Sequence, residues 1–326
     1  MKAIVITGAG GPDVLAVRDV PTPEPARGEV RVRVRATAVN RADILQRMGL
    51  YPAPTDAPQD IPGLEFAGEV DAIGPGVTRW QLGDRVCGLA GGGTYAEFLV
   101  AHERALAPIP ERASWREAAA IPEAFVTAYD ALVLQAHLCA GDTTLIHAAG
   151  SGVGTAAIQI ARAIGATSVG TSRTPAKLER ARDLGLDAGI VPDAGAFADA
   201  VREATGGAGP RAVLELVGGA YVAEDVRCVQ PGGCIVVVGL MAGARVDLDL
   251  GALLRKRVIV RGTVLRSRPV EEKLAAAEAL RRHIVPLWAR ARVRAVIDRT
   301  FALDEAPAAH AYVQSNAGFG KVVLDL

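Results

Sequence analysis

Aromatic residues are scarce in this chain, at 4% of 326 residues, and its charges cancel, with 36 Lys and Arg against 36 Asp and Glu. These shortages exclude one class of partner at once. Single-stranded nucleic acid is held by stacking faces and a basic groove, and this composition supplies neither. Neutrality also removes the electrostatic argument for an anionic membrane surface. No apolar run reaches the roughly 20 residues of a membrane span. The opening MKAIVITGAGG enters a strand without a signal-peptide pattern, so a cytoplasmic setting is expected. Cysteine is sparse too: Cys87, Cys139, Cys228 and Cys234 form no C-x-x-C pair. A structural zinc site needs clustered thiolates, so these read as buried, reduced thiols packed like small apolar side chains. The five histidines stand singly, with no H-E-x-x-H.

What is present is a length sufficient for two domains and a sizeable core. One stretch organises it: Leu145-Ile146-His147-Ala148-Ala149-Gly150-Ser151-Gly152-Val153-Gly154. A short apolar strand over 143–146 drops into a small-residue turn, which opens onto a helix over 155–164. Val153, Ala157, Ile160, Ala161 and Ile164 recur at three- and four-residue spacing and should share one helix face. Strand, turn and helix form the first half of a dinucleotide-binding unit. Small residues let a pyrophosphate approach the backbone, where helix-start N–H groups and the helix dipole hold it. On the G-x-G-x-x-G pattern the three key places hold Ala149, Ser151 and Gly154. Ser151, Gly152, Val153 and Gly154 are therefore the phosphate-binding candidates, with Ser151 giving its N–H and its hydroxyl. The next strand, 166–170, leads into Thr171-Ser172-Arg173 and then Lys177, where a ribose contact is expected. No carboxylate appears there before Glu179, so Ser172, Arg173 and Lys177 suit the 2′-phosphate of NADPH.

Two patterns divide the chain. Runs at 2–7, 15–20, 30–38, 65–73, 85–89 and 95–100 read as short strands separated by glycine turns, as in a small β-barrel-like domain. A helix starts at Asn40, which also suits an N-cap. From about residue 113, alanine-rich helices alternate with apolar strands at 143–146, 166–170, 188–191, 212–216, 234–239 and 258–261. That alternation is a doubly wound parallel sheet. The turns Val217-Gly218-Gly219, Gly239-Leu240-Met241 and Val264-Leu265-Arg266 follow apolar strands, at the edge where ligands bind.

A β-rich domain split around a nucleotide domain resembles the medium-chain dehydrogenase/reductase superfamily, and within it the zinc-free quinone oxidoreductase (zeta-crystallin-like) branch. The stretches that carry the likeness are Ala38-Val39-Asn40-Arg41-Ala42-Asp43, Gly63-Leu64-Glu65-Phe66-Ala67-Gly68, Ala119-Ala120-Ile121-Pro122-Glu123-Ala124, the turn from Ile146 to Ala156, and Val264-Leu265-Arg266-Ser267-Arg268. The resemblance implies a GroES-like catalytic domain over 1–122 and 264–326 around a Rossmann domain over 123–263. Zinc-using members carry a Cys after the third strand and a Gly-His-Glu, and here those places hold Asn40 and Gly63-Leu64-Glu65. Without that Lewis acid the acceptor must already be activated for hydride addition, as a quinone or an enone is. The resemblance places Asn40, Tyr51 and Thr127 at the nicotinamide and the acceptor. It places the backbones of Val217, Gly239, Leu240, Met241 and Leu265 on the carboxamide and ring, and folds Asn316 and Lys321 back over the cofactor. Relatives often add a Tyr near position 192 for the 2′-phosphate, and this chain has Pro192. A cytoplasmic, homodimeric NADPH:quinone oxidoreductase is the expected function. A 2-alkenal or enone reductase shares every residue named, and a crystallin-like or RNA-binding protein without turnover is the reading from a different class.

Overall fold

The computed structural model describes residues 1–326. The chain gathers into two compact units, Met1–Val126 with Leu265–Leu326, and Thr127–Val264.

In the first unit β1 (Lys2–Ile6) pairs antiparallel with β2 (Leu15–Asp19). The centre is β3 (Glu29–Val39), whose strict alternation puts Val30, Val32 and Val34 in the core while Arg31 and Arg33 pair with Asp71 outside. β4 (Glu65–Ile73) takes one edge of β3 and passes to β5 (Arg85–Leu89). The other edge is divided between β6 (Phe98–His102), along Glu29–Arg33, and a strand that arrives from the C-terminal segment. The expected strand at 95–100 therefore begins later. Tyr95 is held outside it because its carbonyl accepts the Ile4 amide at 2.8 Å, a bridge to β1. A three-residue strand, β7 (Leu106–Pro108), closes on β5; it is too short for any periodicity to announce.

The second unit has a six-stranded, wholly parallel sheet: β8 (Thr143–Ile146), β9 (Thr167–Thr171), β10 (Ala188–Ile190), β11 (Ala212–Glu215), β12 (Cys234–Val237) and β13 (Ile259–Gly262). Its order, β10-β9-β8-β11-β12-β13, is 3-2-1-4-5-6 when counted within the unit. The chain reverses direction of travel between β8 and β11, the point in sheets of this order outside whose strand ends ligands bind. Leu145, Val169, Val213 and Ile235 fill the core beneath.

The helix after β8 spans Gly152–Ile164, starting before residue 155, because the Ser151 side chain caps it by accepting from the Gly154 amide at 3.0 Å. It ends at Gly165, whose φ of 83° is the left-handed stop that glycine adopts freely. The expected face of Val153, Ala157, Ile160, Ala161 and Ile164 lies on this helix, but burial extends beyond it. Gly154 to Ala161 are buried all round, and small side chains such as Ala156 and Ala157 let neighbours close in on every side.

The chain then returns to the first unit with β14 (Ile297–Ala302) and β15 (Lys321–Asp325), which are parallel, and β15 completes the second edge of β3. Three cysteines are buried as expected, but Cys139 is exposed, in the loop that precedes β8. No helix is long and apolar enough to cross a membrane.

Candidate active site

The phosphate-binding turn has the geometry its small residues allow. Ala148 takes a left-handed φ of 47°, and the Ala149 amide reaches across to the Thr171 carbonyl at 2.9 Å. A Cβ on Gly154 would sit 2.4 Å from the Ala148 carbonyl oxygen, so only glycine lets helix and turn approach this closely. The first amides of a helix lack an intrahelical acceptor. Here Ser151 takes those of Gly154, with its side chain, and Thr155, with its carbonyl at 2.8 Å. Gly152 and Val153 are left to present N–H groups to an anion. The Ser151 amide is not among the donors, contrary to expectation, because it donates to the Ala148 carbonyl at 2.8 Å. Its hydroxyl hydrogen remains to donate. These features fit a pyrophosphate.

At the end of β9, the Ser172 hydroxyl accepts from the Thr174 amide at 3.1 Å, Arg173 is exposed and Lys177 is half-buried in the helix Pro175–Arg182. Glu179 turns away to pair with Arg182 at 2.7 Å. Three donors thus lie at the strand end, with the first carboxylate engaged elsewhere. Beyond β11, Val217 donates its N–H to Glu215 and accepts from the Ala242 amide at 2.7 Å. A Cβ on Gly239 would meet the Leu216 carbonyl at 2.4 Å, so the turns after β11 and β12 touch through backbone. Leu240 and Met241 stand 54% and 50% exposed beside them, an apolar surface at the sheet's ligand edge. Thr127, in the helix Pro122–Tyr129, is buried.

Beneath the turn lies a cluster that sequence reading missed. His147, Glu215 and Asp225 are fully buried and bring their donor atoms within 4.8 Å of one another. His147 contacts Asp225 through Nε2 at 2.8 Å and Thr171 Oγ1 through Nδ1 at 2.7 Å. Burial pushes the His147 imidazole down to about 4 and both carboxyls up to about 8. Each residue stands alone in sequence, and no spacing rule joins them.

The first unit builds a polar site around Lys321, which is 5% exposed. Its ammonium bonds Glu65 Oε1 at 2.7 Å, Asn40 Oδ1, and the Val39 carbonyl at 3.2 Å, so all three of its donors point inward. That arrangement leaves Lys321 holding Asn40, in place of the expected reach over the cofactor. Asn40 stands at the N-cap of the helix Arg41–Arg47, yet its side chain faces Lys321 and Glu65, and the Asp43 carboxyl caps the Asn40 amide at 2.7 Å. Both Asn40 amide hydrogens are occupied, by Ala38 O at 3.2 Å and Glu65 Oε1 at 3.0 Å. It can only accept one further bond. Glu65 Oε2 takes the Glu123 amide at 2.8 Å. Burial first, and then Glu65, push the Glu123 carboxyl up to about 8.

Arg266 organises the Tyr51 loop, bonding Gly91 O at 2.6 Å, Gln46 Oε1 at 2.6 Å and Tyr51 O at 3.4 Å, with its guanidinium 5.5 Å from the Tyr51 ring centre. Burial raises the Tyr51 phenol, so its O–H stays protonated as a donor. Leu265 is half-buried, and Asn316 is an exposed left-handed turn residue, φ 57°, whose side-chain oxygen accepts from Arg41.

The residues at the expected zinc position do not fit that ion. Asn40 offers no hydrogen-free nitrogen, Leu64 offers no donor, and Glu65 is already neutralised by an ammonium.

Residues 26–111 match the alcohol dehydrogenase GroES-like domain and residues 152–281 the zinc-binding dehydrogenase family. The quinone oxidoreductase of Pseudomonas aeruginosa is 36% identical over 326 residues, 99% of each chain. Among solved structures, Escherichia coli quinone oxidoreductase complexed with NADPH superposes with a TM-score of 0.87, at 29% identity and over 100% of both chains. CurK enoyl reductase gives 0.87 at 27% identity, over 99% of this chain and 98% of that one. With this likeness running the full length of the chain, it belongs to the medium-chain dehydrogenase/reductase superfamily, with quinone oxidoreductases among its relatives.

Proposed function

We propose that the chain is an NADPH:quinone oxidoreductase that works without zinc, as a cytoplasmic homodimer. One observation carries the reading: where zinc-using relatives hold a metal, an ammonium from Lys321 fills the space between Asn40 and Glu65. An ammonium cannot polarise an alcohol for oxidation as a metal does. The acceptor must bring its own electrophilicity, which a quinone does. NADPH supplies the hydride when bound, and the protein's task is positioning. Gly152, Val153 and the Ser151 hydroxyl hold its pyrophosphate, while Ser172, Arg173 and Lys177 hold its 2′-phosphate. The turns at Val217, Gly239, Leu240, Met241 and Leu265 orient the nicotinamide. Thr127 lies at the same ring, and Asn316 belongs to the segment that covers the cofactor. Tyr51 donates to the acceptor oxygen, and Asn40, fixed by Lys321, accepts a single bond there.

A 2-alkenal or enone reductase is the second reading, favoured by the likeness to CurK enoyl reductase. Parallel assays of NADPH oxidation by an ortho-quinone, a para-quinone and a 2-alkenal separate the two. Quinones should give the higher kcat/KM. Preference for the alkenal would transfer the assignment to the second reading, and tight NADPH binding without turnover on any acceptor would favour a binding protein.

A further inference from the structure

The cluster under the cofactor turn has a polar count that does not close with ionised groups. Glu215 Oε1 accepts the amides of Val217 and Gly218, the latter at 2.9 Å, and Asp225 Oδ1 meets His147 Nε2 at 2.8 Å. One oxygen on each carboxyl, Glu215 Oε2 and Asp225 Oδ2, is left buried without a partner. The two carboxyls nevertheless stand close, each with an oxygen in the cluster whose donor atoms lie within 4.8 Å of one another. Two buried negative charges and two orphaned oxygens at one point are costly. No cation faces them closely. His147 is neutral in this setting, the Tyr221 ring packs edge-on to it at 5.1 Å, and Glu224 adds a further carboxylate, itself tied to Arg227. Arg173 acts on Tyr221 from the strand end.

We propose that Glu215 and Asp225 share a single proton, and that the protonated Glu215 is a positioning residue fixing the turn at 217–219. With the proton on Glu215 Oε2 and donated to Asp225, both orphaned oxygens are satisfied at once. The Glu215 carbonyl oxygen accepts the two turn amides, His147 Nε2–H donates to Asp225 Oδ1, and the Thr171 hydroxyl donates to His147 Nδ1. A bound metal accounts for the contacts less well. Ligand atoms around tetrahedral zinc stand about 3.3 Å apart for bonds of about 2.0 Å, whereas His147 Nε2 and Asp225 Oδ1 are 2.8 Å apart.

The consequence is a pH limit on the turn. Carboxyls raised in the folded state contribute stability below their unfolded pKa, and that contribution is lost as pH rises through the folded value, here about 8. Above it two charges are buried together and the turn loosens. The effect on cofactor affinity rests on the reading that this turn holds the nicotinamide.

The test follows the Val217 and Gly218 amide resonances of the cofactor-free protein as pH rises through 8. Wild type should show both shifting together. In Glu215→Gln the shift should vanish, because the amide offers the same carbonyl to the turn and an N–H to Asp225 without titrating. Asp225→Asn should abolish it as well, donating to Glu215 and accepting from His147. The NADPH KM should rise in wild type above the midpoint, by at most about tenfold per pH unit for one proton, and stay flat in both variants. Amides that titrate while KM stays flat would keep the shared proton and remove this turn from the cofactor site. Amides that do not titrate in wild type would overturn the proposal. So would stoichiometric metal in the cluster, or a Glu215→Gln protein as unstable as Glu215→Ala at neutral pH.

Discussion

Lys321 shows what single residues decide in this molecule. It and Asn40 lie 281 positions apart, yet the ammonium sets how that amide faces the site and neutralises Glu65. Replacing Lys321 with Met should leave a buried carboxylate unpaired and cost roughly 3–5 kcal/mol. Thermal melts should show the loss, and Glu65→Gln in the same chain should restore part of it. A Lys321→Met protein as stable as wild type would show that the pair is not what holds the site. At the other site, a charge-assisted hydrogen bond is worth roughly 1.5–3 kcal/mol, so Lys177→Ala should raise the NADPH KM about ten- to a hundredfold. NADH kinetics should not move, since NADH has no 2′-phosphate; equal losses for both cofactors would refute this pocket. Local spacing was readable in the sequence and side-chain orientation was not. Ser172, Arg173 and Lys177 follow from a local spacing, whereas Lys321, whose partners come from distant strands, reads equally well as a cofactor ligand. The same is true of His147, Glu215 and Asp225, which are brought together only by the parallel sheet.

At the scale of elements, the strand–turn–helix at β8 was legible because its constraints are local. A turn of small residues, a capping serine and a stop glycine lie within one short stretch. What the pattern could not convey was burial: an alanine-rich helix can present one apolar face or be enclosed on all sides, and periodicity does not distinguish them. The helix meets the turn closely at Gly154, where an added Cβ would lie 2.4 Å from a backbone oxygen that cannot rotate away. Gly154→Val should therefore displace the helix start and lower the melting temperature. Calorimetric titration with NADPH should show binding lost at concentrations that saturate the wild type. Retained affinity would mean that the pyrophosphate does not sit on this turn. Strand ends were the least readable features. β6 begins three residues after the expected start because the Tyr95 carbonyl is claimed by β1, a contact between segments far apart in sequence.

At the scale of the whole molecule, the parallel sheet ends on an unfinished edge. β13 is last in the sheet order and all four of its residues are exposed, with Ile259 at 48% and Val260 at 41%. An apolar edge strand of this kind pairs or aggregates, and a two-fold contact with a second copy would close it. Light scattering should give twice the 33.8 kDa chain mass, and Ile259→Lys with Val260→Lys should give monomers. A wild-type monomer at micromolar concentration would rule the edge out. The two-domain plan was visible in the sequence because it rests on a change of period, from alternating strands to alternating strands and helices.

The claim to which all three scales contribute is hydride transfer to a quinone with no metal taking part. It is tested most directly by measuring the rate of NADPH oxidation by an ortho-quinone before and after exhaustive dialysis against a zinc chelator, with zinc quantified in the same samples. The account predicts equal rates and no stoichiometric zinc in either sample. A rate abolished by the chelator and restored by added zinc would contradict it.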